Sequence, residues 1–139
     1  MKSLAGMSIL ITGGGSGLGL GAARYFVAAG AKVTICGRRA DKIREAAAEL
    51  GSSCLGVPAD ITVAADRERL MAAAVEHGDG LGALINNAGN MYRGPITELE
   101  QDKLLEIFNT NVVAGMMLTG LAVPHLARTE GAIPVSYTH

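Results

Sequence analysis

The sequence predicts an α/β protein with a doubly wound parallel sheet, in which helices cover both faces. Short apolar runs rich in β-branched residues alternate along the chain with segments whose apolar residues recur every three or four positions. Glycine or another turn-forming residue stands at most of the junctions between them. Alternation of this kind is typical of βαβ units that share one sheet. We expect the sheet to be cut short after about its fifth strand.

Five strands and five helices are expected, and each has a simple sequence basis. The strands are apolar runs that stop at a glycine or a polar residue, at 8–12, 31–37, 54–60, 81–86 and from 131 onward. The helices are segments with an apolar face, at 17–30, 40–50, 62–77, 98–107 and 111–128. In the first helix Leu18, Ala22 and Phe26 recur every four residues, with Ala23 and Val27 beside them, and they mark one apolar face.

Local signals mark the ends of the later helices. Thr62 is expected to cap the third helix. Thr97, followed three residues later by Glu100, is the capping-box pattern and predicts that the fourth helix begins near residue 98. Pro124 is expected to kink or end the fifth helix, because proline cannot donate the backbone hydrogen bond that a helix interior needs.

Composition and charge exclude several classes of protein. Hydrophobic residues make up 49% of the 139 residues and charged residues only 18%, which is typical of a globular protein. The net charge of −1 leaves no cationic excess for nucleic acid, and no uninterrupted apolar run reaches the roughly 20 residues of a membrane span. We read no secretion signal, and the two cysteines, Cys36 and Cys54, are expected to be buried thiols. The sequence therefore predicts a cytoplasmic protein without nucleic-acid or membrane partners.

A glycine-rich turn joins the first strand to the first helix with the spacing Thr12-Gly13-x-x-x-Gly17-x-Gly19. Gly13 allows a tight turn, Gly17 allows the backbone to approach a bulky anion, and Gly19 lets the helix lie close to the sheet. The N-terminus of that helix then offers unpaired N–H groups and a partial positive charge. Because the turn follows a strand and opens a helix, it predicts dinucleotide binding rather than only a tight connection.

Three later signatures extend this pattern. Asp60 follows the third strand, NNAG at 86–89 follows the fourth, and Asn111 lies in a later helix. Together with the glycine turn, their order and spacing resemble the short-chain dehydrogenase/reductase family over residues 1 to about 133. The resemblance implies an NAD(P)-dependent oxidoreductase that transfers a hydride between nicotinamide and an alcohol or ketone.

The resemblance also implies a role for each matching position. Gly13, Ser16, Leu18 and Gly19 would line the pyrophosphate and the nearby ribose, with Thr12 and Gly17 in the same turn. Asp60 and Ile61 would meet the adenine ring, and Asn87, Ala88 and Gly89 would form the floor under the riboses. Asn111 would hold a water in the proton relay and would interrupt its helix, although an isolated asparagine there would be interpreted as an ordinary helix cap.

The end of the second strand bears on which nicotinamide cofactor is used. An acidic side chain there repels a 2′-phosphate, whereas an arginine binds it. The segment TICGRRADK places no acid at 36–39 but has Arg38 and Arg39. We therefore expect NADP(H) rather than NAD(H), with Arg38 as the phosphate ligand. The alternative is a pair of solvated surface arginines beside Asp41.

The family's remaining catalytic residues are missing from the sequence. The resemblance implies a tyrosine that transfers the proton and a lysine four residues later that lowers its pKa. The 139 residues contain no Tyr-x-x-x-Lys, and no lysine follows Lys103. Ser136 and Tyr137 are adjacent instead of spaced as in the family, so neither is expected to be catalytic. Asn111 is the one catalytic residue predicted, and the chain by itself is expected to be inactive.

The C-terminal residues depart from the family pattern. Pro134 would remove a ladder donor from the middle of the fifth strand. VSYTH at 135–139 resembles one reading frame of a transposon-end adapter used in sequencing. We therefore expect an incomplete dinucleotide-binding domain at 1–133 and a non-native tail at 134–139.

Other functions stay open at this point. The chain could be a nucleotide-binding module or a non-functional fragment without catalysis, while NNAG and the long glycine spacing disfavour a methyltransferase-type fold. The substrate cannot be inferred from these residues, and the histidines show no metal-ligand spacing. Gly115 and Gly120, with Met116 and Met117, predict a closely packed helix face, which in family members meets a second subunit. A homo-oligomer is therefore expected for the full-length parent.

Overall fold

A computed structural model describes residues 3–130 and 133–136 of the chain. Five strands form one sheet, and every neighbouring pair in the order β3-β2-β1-β4-β5 is parallel. The strands are β1 Ser8–Thr12, β2 Lys32–Gly37, β3 Cys54–Pro58, β4 Ala83–Asn86 and β5 Ile133–Ser136. The predicted fold class is confirmed, and each observed strand lies within a predicted one.

Helices connect the strands in chain order. They are α1 Gly17–Ala28, α2 Ala40–Leu50, α3 Ala64–Gly78, α4 Gln101–Phe108 and α5 Ala114–Leu126. A π-helical segment, Asn109–Val113, joins α4 to α5, and a single 3₁₀ turn, Ile96–Glu98, precedes α4. The second helix has the predicted bounds, while the starts of α3 and α4 differ from the prediction.

The sheet carries a separate apolar core on each face. Side chains of β1 alternate between the two, with Leu10 in the core under α3 and α5, and Ile9 and Ile11 in the core under α1 and α2. All five β1 residues are buried, as expected for the central strand of a sheet covered on both sides. Cys36 and Cys54 are both free and buried, as predicted.

Helix α1 packs most of its predicted apolar face on the sheet, since Ala23 is in the core and Ala22, Phe26 and Val27 lie partly buried against it. Gly19 and Ala23 are its buried residues, whereas Leu18 is 58% exposed. Leu18 is the one member of the predicted apolar face that does not pack on the core. The absence of a side chain at Gly19 allows α1 to approach the glycine turn closely.

Two predicted helix caps were also wrong. The N-cap of α3 is Val63, because the Thr62 hydroxyl donates instead to Asp60 Oδ1 at 2.6 Å. Before α4, Thr97 lies within the 3₁₀ turn, and the capping-box partner Glu100 is itself the N-cap residue. The chain between them is extended at Leu99, with φ −71° and ψ 119°, so the pattern does not open one continuous helix.

The helical segment Gln101–Leu126 runs through α4, the π segment and α5. It passes through Pro124 and ends two residues later, at Leu126. By length and composition alone this segment is long and apolar enough to cross a membrane, although only 17% of its most apolar stretch is buried. The sequence shows no uninterrupted apolar run here, because Asn109, Thr110 and Asn111 divide the stretch.

The buried face of α5 consists of Ala114, Leu118, Ala122 and Leu126. Met116 and Met117 lie outside it, with 70% and 52% of their surface exposed. Gly115 lies instead over β4, where an added Cβ would be 3.6 Å from Asn86 Oδ1, and Gly120 has open space beside it. Within the single chain only Gly115 is closely packed, so the prediction that this helix face packs on a second subunit stays a prediction.

Candidate functional site

The loops that follow β1 to β4 meet at one edge of the sheet, because parallel strands bring their carboxyl ends together. The strand order places β2 on one side of β1 and β4 on the other, so the connections diverge there and leave a crevice. The crevice holds a cavity of about 390 Å³ and a second of about 380 Å³. Ile61, Ala88 and Thr110 line both, so the two cavities are adjacent.

The glycine turn forms one wall of the larger cavity. Gly13 has φ +66°, the left-handed conformation that favours glycine, and the predicted tight turn is present. A Cβ at Gly19 would overlap the carbonyl oxygen of Gly13 and lie 2.6 Å from the Asn87 side-chain nitrogen. The close approach at Gly19 is therefore to the turn itself and to the loop after β4.

Hydrogen bonds join the ends of β1 and β4. Thr12 is fully buried, and its Oγ1 accepts hydrogen bonds from the backbone N–H groups of Asn87 and Ala88, both at 3.0 Å. In return, Asn87 Nδ2 donates to the carbonyl oxygens of Thr12 and Gly13 at 3.1 and 3.2 Å. Thr12 and Asn87 thus hold the glycine turn against the NNAG segment.

The N-terminus of α1 opens at the glycine turn. Ser16 is the N-cap residue, is exposed, and makes no side-chain capping bond to the helix. The first turn of α1 contains no acidic residue that would neutralise its partial positive charge. Because Ser16 also lines the larger cavity, this helix end and an uncommitted hydroxyl are available to an anion there.

Seven predicted cofactor residues line the larger cavity together: Gly13, Ser16, Arg38, Asp60, Ile61, Ala88 and Gly89. The structure does not bring the other five to that cavity. Gly17 and Leu18 are exposed on α1, Gly19 and Asn87 support the turn from behind, and Thr12 lines the smaller cavity. The predicted binding role of each residue stays a prediction.

Three cationic side chains border the larger cavity at the end of β2. Arg38 and Arg39 are exposed, and neither pairs with a carboxylate within residues 3–130. Lys42, on the first turn of α2, lies 3.6 Å from Glu45 Oε2. The sequence prediction overlooked Lys42, because a lysine near a helix start is normally a solvated surface residue.

The loop after β3 forms the opposite wall. The backbone N–H and hydroxyl of Thr62 both donate to Asp60 Oδ1, at 2.9 and 2.6 Å. Asp60 Oδ2 accepts no bond from the described part of the chain. Asp60 and Ile61 therefore offer one carboxylate oxygen and an apolar side chain to the cavity.

Asn111 lies at the centre of the π segment and lines the smaller cavity. Its Oδ1 accepts from the backbone N–H of Asn90, and its Nδ2 donates to the Asn90 carbonyl, both at 2.6 Å. The predicted interruption of the helix at this residue is present. The side chain is already bound to the loop that follows NNAG, so Asn111 connects that loop to α4 and α5.

Asn86 is a lining residue that the sequence prediction missed. Its Nδ2 donates to Thr119 Oγ1 at 3.0 Å, and that hydroxyl donates to the Gly115 carbonyl at 2.7 Å. Asn86 Oδ1 is buried and accepts no hydrogen bond from the described residues. This oxygen is therefore an available acceptor at the floor of the smaller cavity, and we expect a donor from outside the described residues to bind it.

The cysteine, tyrosine and possible metal-ligating side chains form no second candidate site among the described residues. Burial raises the pKa of the Cys36 thiol to about 12, so this cavity-lining side chain stays protonated at neutral pH. Tyr92 donates to the Pro95 carbonyl at 2.9 Å, Tyr25 is exposed on α1, and Tyr137 lies outside the described residues. Within residues 3–130 and 133–136, no cluster of acidic, histidine or cysteine side chains could hold a metal.

Residues 7–135 match the sequence model of the family described as short chain dehydrogenase. The chain is 32% identical to cis-2,3-dihydrobiphenyl-2,3-diol dehydrogenase from Pseudomonas sp. (strain KKS102), with 89% of this chain and 47% of that protein aligned. It is 34% identical to serine 3-dehydrogenase from Agrobacterium fabrum, with 91% and 51% aligned. The chain spans about half the length of the curated relatives it matches.

A similar solved structure is that of 3-ketoacyl-(acyl-carrier-protein) reductase from Brucella melitensis complexed with NADH. The TM-score is 0.92 and the sequence identity 32%, and the match covers 96% of this chain and 57% of that one. The two chains therefore share the sheet order and its flanking helices over nearly all of the present sequence.

Proposed function

Because the chain belongs to the short-chain dehydrogenase family, we propose that it binds a nicotinamide dinucleotide and serves hydride transfer to or from an alcohol or ketone. The bound nicotinamide supplies the hydride chemistry, and the protein supplies binding and orientation. The observation that carries this proposal is the larger cavity, where the glycine turn, the N-terminus of α1 and the Asp60 loop converge. A relative with NADH bound and the same fold supports it.

The residues that line the two cavities offer a contact to each part of such a ligand. A Cβ at Gly13 would lie 3.0 Å from Ala88 Cα, so only glycine lets the turn pack this closely on the NNAG segment. The N–H groups of the first turn of α1 and the Ser16 hydroxyl would donate to that diphosphate. Asp60 Oδ2 would accept from the adenine amine, and the smaller cavity would receive the nicotinamide end.

NADP(H) is the proposed form of the cofactor, in preference to NAD(H). Arg38 and Arg39 carry two positive charges at the rim where the adenosine ribose would lie, and Gly37 and Cys36 before them are uncharged. Residues 36–39 include no carboxylate that would repel a 2′-phosphate. Guanidinium groups bind phosphate in a bidentate geometry, which supports Arg38 as the phosphate ligand.

Asn111 is proposed to take part in proton transfer by holding a water. Both polar atoms of its side chain contact Asn90, so the water would bind the second lone pair of Oδ1 or a carbonyl of the π segment. Such segments often mark functional sites within helices, which supports this role. The family's tyrosine and lysine are absent from the sequence, so we expect the 139 residues to bind cofactor without turnover.

A second copy of the chain is the proposed partner of α4 and α5, in a cytoplasmic homo-oligomer. Their outer side exposes a large apolar surface, formed by Leu104, Leu105, Phe108, Val112, Val113, Met116, Met117 and Val123. Apolar patches of this kind are typical of subunit interfaces. The boundary at residue 133 and the non-native tail at 134–139 remain predictions, and a native reading frame that continues through His139 would contradict them.

The test of the cofactor proposal is calorimetric titration of the chain with NADPH and with NADH. We expect NADPH to bind more tightly, and Arg38→Ala to weaken NADPH binding by roughly tenfold while leaving NADH binding unchanged. Arg44→Ala is the matched control, since Arg44 is exposed on α2 and does not line the cavity. Absence of binding heat with either coenzyme would contradict the proposal.

The alternative function is a nucleotide-binding module without any catalytic partner segments. An activity assay distinguishes this module from an oxidoreductase, because it follows NADPH oxidation in the presence of a series of ketones. We expect no turnover from the 139 residues and turnover from a protein that carries this segment with the family's tyrosine and lysine. Turnover by the 139 residues alone would contradict the expectation that catalysis needs the tyrosine and lysine that this sequence does not contain.

A further inference from the structure

We propose that Asp66 is a positioning residue for the adenine end of the cavity, because its carboxylate holds the main chain at Asp60. The role rests on the proposed cofactor site and adds to it a residue that does not touch the ligand. Asp66 is on the first turn of α3, behind the loop, and does not line either cavity. Its effect on binding would pass entirely through the loop.

The contact is specific to one backbone group. The N–H of Asp60 donates to Asp66 Oδ2 at 2.8 Å, which is a short hydrogen bond to a charged acceptor. The same residue, Asp60, accepts two hydrogen bonds from Thr62 through its own Oδ1. These three bonds fix both the backbone and the side chain of Asp60, so that Oδ2 is the carboxylate atom left for a ligand.

Two arginines of α3 complete the support. Arg67 Nη1 donates to the Ile61 carbonyl at 2.8 Å, and Arg69 Nη2 donates to the Pro58 carbonyl at 2.7 Å. Arg69 Nη2 also lies 3.4 Å from Asp66 Oδ1. The backbone groups of residues 58, 60 and 61 are therefore each held by a different charged side chain of α3, while Asp60 and Ile61 line the cavity on the other side.

The support requires an ionised carboxylate. The hydrogen bond from the Asp60 backbone N–H, together with Arg69, holds the pKa of Asp66 below its ordinary value. Asp66 is therefore charged at neutral pH. An amide at this position would be a weaker acceptor and would lose the attraction to Arg69.

The experiment compares two ligands that differ at one group of the base. NADPH carries the exocyclic amine of adenine, and reduced nicotinamide hypoxanthine dinucleotide phosphate carries an oxygen there. We expect the wild-type chain to bind NADPH more tightly than the hypoxanthine ligand. Asp66→Asn should weaken NADPH binding by roughly tenfold and the hypoxanthine ligand far less, which would remove most of the preference. Asp66→Glu should restore part of it.

The matched control is Glu68→Gln, which removes the same charge from the exposed side of α3 and should leave both affinities unchanged. Circular dichroism and thermal unfolding establish that each variant is folded. If Asp66→Asn does not fold, Arg67→Gln provides the same test, because it releases the Ile61 carbonyl and should also reduce the preference for adenine.

The outcomes separate the two proposals. A wild-type chain that binds neither ligand contradicts the proposed function. A chain that binds both, with equal losses on Asp66→Asn or with no loss, contradicts only the positioning role. Selective loss of the adenine preference, with restoration by glutamate, supports it.

Discussion

The two walls of the larger cavity are built in opposite ways. The turn after β1 has almost no side chains, and its shape depends on glycines at Gly13, Gly17 and Gly19. The loop after β3 depends on side chains, because Asp60, Thr62 and α3 hold it by charged or polar hydrogen bonds. One wall is therefore sensitive to any added atom, and the other to the loss of single polar atoms.

Because the two walls are built differently, substitutions in them should have different effects on stability and on ligand binding. Added volume at a backbone contact forces the main chain to move, because packed interiors have no room to absorb it. When a partly exposed loop loses one hydrogen bond, water can replace the lost partner. The positions of the loop atoms then become less well defined, while the free energy of unfolding changes little. We expect substitutions in the turn to reduce stability and binding together, and substitutions in the loop to reduce mainly binding.

The largest effect is expected for Gly19→Ala. The new Cβ would overlap the Gly13 carbonyl, so the free energy of unfolding should fall by about 3 kcal/mol and coenzyme binding should be lost. Gly21→Ala is the control within α1, where an added Cβ meets nothing within 4 Å and the better helix former should stabilise by about 0.5–1 kcal/mol. Urea unfolding measures both variants. Equal stability of the two would show that the turn is not tightly packed.

A smaller effect is expected for Thr12→Val, at the junction between the ends of β1 and β4. Valine cannot accept the hydrogen bonds from Asn87 and Ala88, so the free energy of unfolding should fall by roughly 2–3 kcal/mol. Thr34→Val serves for comparison, since this equally buried threonine on β2 makes neither of these bonds. A larger loss for Thr34 would mean that strand burial, rather than the Thr12 hydroxyl, determines the cost.

The smallest effect is expected in the other wall, for Thr62→Val. The variant removes the 2.6 Å hydroxyl bond to Asp60 but keeps the backbone bond, so NADPH affinity should fall only about two- to threefold. Unfolding should hardly change. Thr97→Val, in the exposed 3₁₀ turn far along the chain, should alter neither quantity. A strong loss of stability with Thr62→Val would remove the contrast between the walls.

The sequence was most informative where backbone geometry requires a particular residue. The strands and the glycine turn could be predicted because apolar runs and glycine spacing reflect local requirements that hold in any context. The buried face of α5 could not, because the helix is apolar on all sides and periodicity does not select Leu118 over Met117. Such a choice depends on tertiary packing.

The loop after β3 shows why part of the site escaped prediction. Asp60 was found because a family motif marks it, but Asp66, Arg67 and Arg69 have the spacing of an ordinary solvated helix face. Their targets are backbone groups, which carry no sequence signal. Thr62 was misassigned for a related reason, since a threonine before a helix can bond either to that helix or to a neighbouring aspartate.

The parallel arrangement has a practical consequence at the opposite rim of the sheet. The turns that lead into β2, β3 and β4 contain Gly30, Gly51 and Gly80, each with positive φ, and none of them lines a cavity. Gly51 has nothing within 4 Å of an added Cβ. We expect a fluorophore or an inserted peptide after Gly51 to be accommodated without disturbing ligand binding. A label on this rim could therefore be used to follow binding at the cavity edge on the opposite side of the sheet.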